Sequence, residues 1–188
     1  MSQLVRHVKP DRRATIALLF VLLSAGSAIF ISFATLNYLK FYPALGQVQN
    51  GVNVDRLTFA TGSGSAPPII TVRITISNPS DYSGLRIGQA TAQISFFQRN
   101  NQSNAIFLGS SRLYGSLLVG GTLEPNSVRS VTVPISLTAQ QSGDLAMFNS
   151  TYSGQVLGEV DLRVDIVTFL VSVTGSVPVL GTWDLSLS

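Results

Sequence analysis

Cysteine is absent from these 188 residues, and histidine occurs once, as His7. Without thiols there is no disulfide framework, no Cys-ligated zinc or iron–sulfur site and no thiol nucleophile. A histidine-based catalytic triad would have to draw on the N-terminal tail. Charge is scarce as well: Asp, Glu, Lys and Arg make up 11% of the chain, where soluble domains carry about 25%. What the chain has instead is apolar residues, 45% of the total, and that balance asks for a membrane contribution.

No charged residue occurs between Arg13 and Lys40. As a helix, the stretch from Ala14 to Leu36 would run about 34 Å at about 1.5 Å per residue, enough to cross a hydrocarbon core of about 30 Å. Gly26-Ser27-Ala28 would suit signal cleavage, but the apolar run continues well past it, so the expectation is an uncleaved anchor over residues 14–39. Ahead of it, Arg6, Lys9, Arg12 and Arg13 outweigh Asp11, whereas Lys40 alone follows closely. The positive-inside rule then keeps the tail 1–13 cytoplasmic and places the C-terminal part outside. Tyr38, Phe41 and Tyr42 suit an interfacial aromatic belt, Pro43 suits a helix stop, and residues 40–53 read as a linker.

Within the anchor, Ser24, Ala28 and Ser32 stand four apart, a small-residue stripe on which another transmembrane helix would pack closely. The net charge of +3 belongs to this end of the chain: residues 41–188 hold seven arginines against eight acidic residues, a net −1. Those arginines are scattered singly among the strand patterns, so no nucleic-acid partner is expected.

From residue 54 to 188 the pattern is all-β, with no helical apolar stripe. Strands are expected at 54–60, 69–77, 87–98, 105–112, 128–137, 159–173 and 177–187, a number that suits an antiparallel two-sheet sandwich of about seven strands. Alternation identifies the buried rows: Val72, Ile74 and Ile76; Val131, Val133, Ile135 and Leu137; Leu162, Val164 and Ile166. Pro134 within a strand pattern points to a sheet edge or to a bulge. The segment 61–68, rich in Gly, Ser and Pro, reads as the tip of a long first hairpin. Arg73, Arg86, Arg99 and Arg112 recur every 13 residues, a spacing that hairpin geometry or chance explains.

Candidates for chemistry are few. Asp161 and Asp165 project to one strand face, but Arg163 stands between them, Glu159 extends the row and no third convergent ligand is recognisable, so they read as a solvated face. No serine occurs as Gly-x-Ser-x-Gly, and no phosphate loop has a helix to lead into. Catalytic residues, metal ligands and cofactors are therefore not expected. Trp183 reads as a core or interface anchor. Two sequons, at Asn101 and Asn149, fall in polar, turn-like segments on the expected outer side and are candidate glycosylation sites.

Ile74-Thr75-Ile76-Ser77-Asn78-Pro79, then Gly84-Leu85-Arg86-Ile87, the amphipathic strand 90–97, Leu108-Gly109, and Leu123-Glu124-Pro125-Asn126-Ser127 before the strand 131–137 form an ordered set. It resembles the group-2 late embryogenesis abundant domain, also called the water-stress and hypersensitive-response (WHy) domain, across residues 54–187. Independently of the family, Asn78 suits an Asx turn and Pro79 a strand stop. The resemblance implies an immunoglobulin- or fibronectin-like sandwich without enzymatic activity, often behind one membrane helix, in plant stress proteins and archaeal relatives.

The leading expectation is a non-enzymatic single-pass membrane protein. It would contact lipid along residues 14–39 and protein partners through the helix or the sandwich edge strands, as an accessory subunit of a membrane or envelope complex. The alternative is a filament subunit: Arg13-Ala14 followed by the apolar run resembles the processing site of archaeal type IV pilins.

Overall fold

The computed structural model describes residues 12–62, 66–106, 108, 113–152, 155–168 and 174–187. The chain divides into two compact units at Leu39/Lys40. The first contains most of helix α1 (Arg12–Gln49), and the second contains its last turns together with everything that follows. To Leu39 the helix is almost wholly exposed, with Phe20 at 72% and Ile16 at 67%, and it is long and apolar enough to cross a membrane.

Pro43 does not stop the helix. It lies inside α1, and its missing N–H deprives the ladder only of a bond to the carbonyl of Leu39. The segment expected to be a linker is helical to Gln49 because it carries an apolar stripe of its own. Phe41, Ala44, Leu45 and Val48, at i, i+3, i+4 and i+7, are 0–8% exposed and belong to the core of the second unit. Phe41 is thereby removed from the expected aromatic belt, while Tyr42 remains exposed. Gly51 carries the chain from helix to strand. Its N–H donates to the Val48 carbonyl at 2.8 Å and its carbonyl accepts from Ser77 N–H at 2.9 Å, and a Cβ there would lie 2.7 Å from the Ser77 oxygen.

Among the described residues eight strands follow: β1 (Val52–Ala60), β2 (Ile69–Asn78), β3 (Leu85–Gln98), β4 (Asn101–Ile106), β5 (Leu113–Leu118), β6 (Ser127–Ser136), β7 (Val156–Thr168) and β8 (Thr174–Leu187). They form one curled sheet in the order β4-β3-β7-β8-β1-β2-β6, with β5 beside β4 along β3. The expected purely antiparallel pair of sheets is thus corrected to a single mixed sheet. Strand β8 runs antiparallel to β7 from Thr174 to Asp184 and then continues parallel to β1, pairing Leu57 with Leu185. Its antiparallel pairing with β7 fixes its direction, so its orientation against β1 depends on which strand the sheet brings beside it, which alternation does not encode.

Of the strand expected over 105–112, Ala105 and Ile106 are the end of β4 and Leu108 is buried outside any strand, while Phe107 and residues 109–112, Gly109 and Arg112 among them, lie outside the described residues; β5 begins at Leu113. A larger correction concerns helix α2 (Ala139–Thr151), which occupies a segment expected to be irregular. Thr138 caps it, accepting from Gln141 N–H at 3.2 Å while the Gln141 side chain accepts from Thr138 N–H at 2.9 Å, a capping box with Gln at N3. Its buried face is Ser142, Leu145 and Asn149. The spacing is helical, but two of the three residues are polar, so no apolar stripe marks it in the sequence.

The three expected apolar rows are buried throughout, none of their members more than 6% exposed. Pro134 lies in β6, which is an edge strand. The loop 61–68 does join the antiparallel β1 and β2. The curl brings β5 against β6: at Gly115 an added Cβ would lie 2.5 Å from the Pro134 carbonyl oxygen and collide with Ile135. Replacing Gly115 by Ala is therefore expected to cost about 1–3 kcal/mol through overpacking. Gly88→Ala, whose Cβ would meet nothing nearer than 3.5 Å, is expected to stay within about 0.5 kcal/mol of wild type. Thermal unfolding of the full chain in detergent compares the two.

Candidate functional site

Strand β2 ends in Asn78, whose side chain is completely buried. Its Oδ1 accepts from Ser80 N–H at 3.1 Å and from Ser80 Oγ at 2.6 Å, which is the expected Asx turn. Its Nδ2 donates to the carbonyls of Tyr82 and Leu123 at 3.2 Å each and of Glu124 at 3.0 Å. Two further backbone bonds tie the same turns: Leu123 N–H to the Leu85 carbonyl at 2.9 Å, and Asn126 N–H to the Ser80 carbonyl at 3.1 Å. Asn126 adopts φ 51°, a left-handed conformation that asparagine tolerates better than most residues. Arg129, at the end of the inward row of β6, donates to the Thr122 carbonyl at 3.3 Å. The segments 78–85 and 122–127, some forty residues apart in sequence, therefore form one polar knot at one end of the sheet. Within it the Thr122 hydroxyl donates to the Glu124 carboxylate at 2.8 Å and the Ser127 hydroxyl to the Glu124 carbonyl at 2.6 Å, so the knot's polar groups are engaged with one another.

Of the residues singled out from the sequence, Ser24, Ala28 and Ser32 are all exposed on α1. The Ser32 hydroxyl donates to the Ala28 carbonyl at 2.8 Å, so this polar group is satisfied within the helix and remains compatible with an apolar surrounding. Asn101 is exposed at the start of β4. Asn149 is not in a turn: it lies on the inner face of α2, 8% exposed, and its Oδ1 has no hydrogen-bond partner among the described residues. Glu159, Asp161, Arg163 and Asp165 share the outer face of β7, as alternation predicts, and Asp165 accepts from Ser176 Oγ at 3.2 Å. Among the described residues no three His, Cys, Asp or Glu side chains converge as metal ligands would. Trp183 is partly buried against the core.

Sequence reasoning missed an open groove of about 360 Å³ between α2 and β4, lined by Ile106, Asp144, Met147, Phe148, Thr151 and Tyr152. Phe148 and Tyr152 meet edge to face at 4.8 Å, and Met147 is 64% exposed. Such a surface suits an apolar side chain. Nothing in the sequence announces it, because α2 itself was not legible.

No family model and no curated protein matches this chain. Solved structures similar to it include an Arabidopsis thaliana protein in solution, at 12% identity and TM-score 0.47, covering 73% of this chain and 82% of that one. A crystal structure of an Archaeoglobus fulgidus protein, at 11% identity and TM-score 0.40, covers 73% and 97%. The putative ApaA protein of Bordetella pertussis, at 12% identity and TM-score 0.37, covers 72% and 91%.

Two outcomes follow from this geometry. Asn78→Ala leaves several buried carbonyls without their donor and is expected to cost about 2–4 kcal/mol, read as a fall in the unfolding midpoint. In a glycosylating host, Asn101→Gln is expected to remove any glycan mass from the chain, and Asn149→Gln to remove none, as intact mass spectrometry would record.

Proposed function

We propose that this chain is a non-enzymatic, single-pass membrane protein with a cytoplasmic N-terminus, whose outer β-domain serves as a structural or interaction module in a larger membrane or envelope complex. The observation that carries this reading is the exposed apolar surface of α1 up to Leu39, on which Phe20, Ile16 and Leu23 each show two thirds or more of their area. In water that surface is costly, and in hydrocarbon it is at home. The N-terminal excess of positive charge supports the orientation.

The finer assignment, a WHy-type domain, is supported by the polar knot. The Asn-Pro step, the Gly-Leu turn and the Pro125 turn that carry the resemblance pack on one another, and their contacts are made by the motif residues themselves. Partners would be reached through the small-residue stripe at Ser24, Ala28 and Ser32 or through the edge strands β4, β5 and β6. A second reading, the pilin-like filament subunit, is favoured by one observation: α1 is continuous from Arg12 to Gln49, and its last turns are built into the β-domain core.

Mild-detergent extraction of the native membrane, followed by size separation and mass spectrometry, tests both. Co-migration with a discrete set of membrane proteins, with Met1 or Ser2 at the N-terminus, is the expected result. A homopolymer trimmed near Ala14 would replace it with the filament reading. For the helix stripe, Ala28→Ile is expected to weaken association of the transmembrane segment, and an unchanged signal in a helix-association assay would remove that contact.

A further inference from the structure

Along β1 the alternation of buried and exposed residues breaks once. Val52 and Val54 face the core and Asn53 faces out, as does Asp55, and then a bulge between Val54 and Arg56 leaves Arg56 exposed as well. The buried row resumes at Leu57. Without the extra residue, Arg56 would point inward; with it, Arg56 stands on the outer face directly opposite Arg73 of β2. Thr132 of β6 is the next residue across from Arg73. Directly opposed residues in an antiparallel pair have Cβ atoms about 5 Å apart, and like charges so placed repel.

Nearby carboxylates do not neutralise the pair. Asp55 accepts a hydrogen bond from Thr75, and Asp184, beside Arg56 on β8, is ion-paired with Arg99. Neither Arg56 nor Arg73 makes a hydrogen bond or ion pair with another described residue. Thr58 and Thr71, one rung further on, are occupied with each other. Arg56 and Arg73 thus share one polar patch on the outer face of β1 and β2, neither engaged with another described residue. A guanidinium presents a rigid fork of N–H groups that matches the oxygens of a phosphate in pairs, and two such forks about one strand spacing apart bracket a single tetrahedral oxyanion.

We propose that Arg56 and Arg73 form a binding site for a phosphate group on the outer face of β1 and β2, with the bulge at Asp55 as the device that assembles it. The ligand is a phosphate monoester, inorganic phosphate or a lipid phosphate headgroup. Bound phosphate removes the repulsion that the empty site carries. Substitution at either arginine therefore has two opposite consequences: it abolishes binding and relieves strain.

The full chain in nonionic detergent is unfolded thermally, followed by Trp183 fluorescence, in millimolar potassium phosphate and in potassium chloride of equal ionic strength. Phosphate is expected to raise the midpoint by about 3–5 °C over chloride, as a ligand that binds only the folded state must. Arg56→Gln and Arg73→Gln are expected to lose that difference while unfolding no lower than wild type in chloride. Arg163→Gln, whose arginine lies between two carboxylates on β7, is expected to retain it. A parallel series in micelles containing phosphatidic acid separates the sources: a shift there and none with inorganic phosphate assigns the site to a lipid headgroup. Equal midpoints in phosphate, chloride and phosphatidic acid, or a phosphate shift that survives in both arginine variants, would overturn the proposal.

Discussion

The buried carboxamide of Asn78 holds the domain's topology together. The chain passes from the β1-β2-β6 half of the sheet to the β3-β7-β8 half through residues 79–84, and returns through residues 119–126. Both crossings occur at the same end, where they must bury backbone carbonyls that no ladder can satisfy. Asn78 meets that requirement with one side chain, donating to carbonyls of both crossings and accepting from the turn it opens. An amide is suited to this because it offers donors and an acceptor without charge, so burial carries no ionisation cost. Beyond the second crossing the chain enters β6, whose Pro134 lies against Gly115 of β5.

The second unit is not purely β. The last turns of α1 contribute Phe41, Ala44, Leu45 and Val48 to its core, and Leu45 packs where Gly175 of β8 leaves room, since a Cβ there would meet the Leu45 side chain. The helix therefore carries two different apolar surfaces in succession. Up to Leu39 it is apolar all round, as a segment surrounded by lipid tails would be, and beyond Lys40 it is apolar along one stripe, as a helix on a protein core is. The change occurs around Pro43, whose missing donor is cheap at a junction between two environments.

Polar side chains divide the outer surface by role. On β7 the alternation of Glu159, Asp161, Arg163 and Asp165 mixes signs along one strand, which solvates a face without building a field. At Arg56 and Arg73 two like charges meet across strands because of a backbone irregularity rather than a sequence pattern. Directly opposed like charges work against a sheet rather than for it, and departures from local consistency of this kind are found at functional sites.

Much of this architecture was legible in order and kind. A charge-free run of helical length, and period-two rows such as Val72, Ile74 and Ile76, report local physics: how long a segment stays apolar, and which side of a pleat it buries. The Asn-Pro step likewise declared its turn. Other features were decided only by long-range contact. Helix α2 exists because Thr138 caps it and Leu145 finds the core, although its buried face is largely polar. The end of α1 ignored its proline because a core awaited the stripe beyond it. That β8 runs parallel to β1, that Asn149 is buried, and that Arg56 confronts Arg73 all depend on which strand lies beside which. Alternation fixes the facing of each residue and leaves the neighbour undetermined, so pairings between distant segments emerge only when the whole sheet has closed around its core.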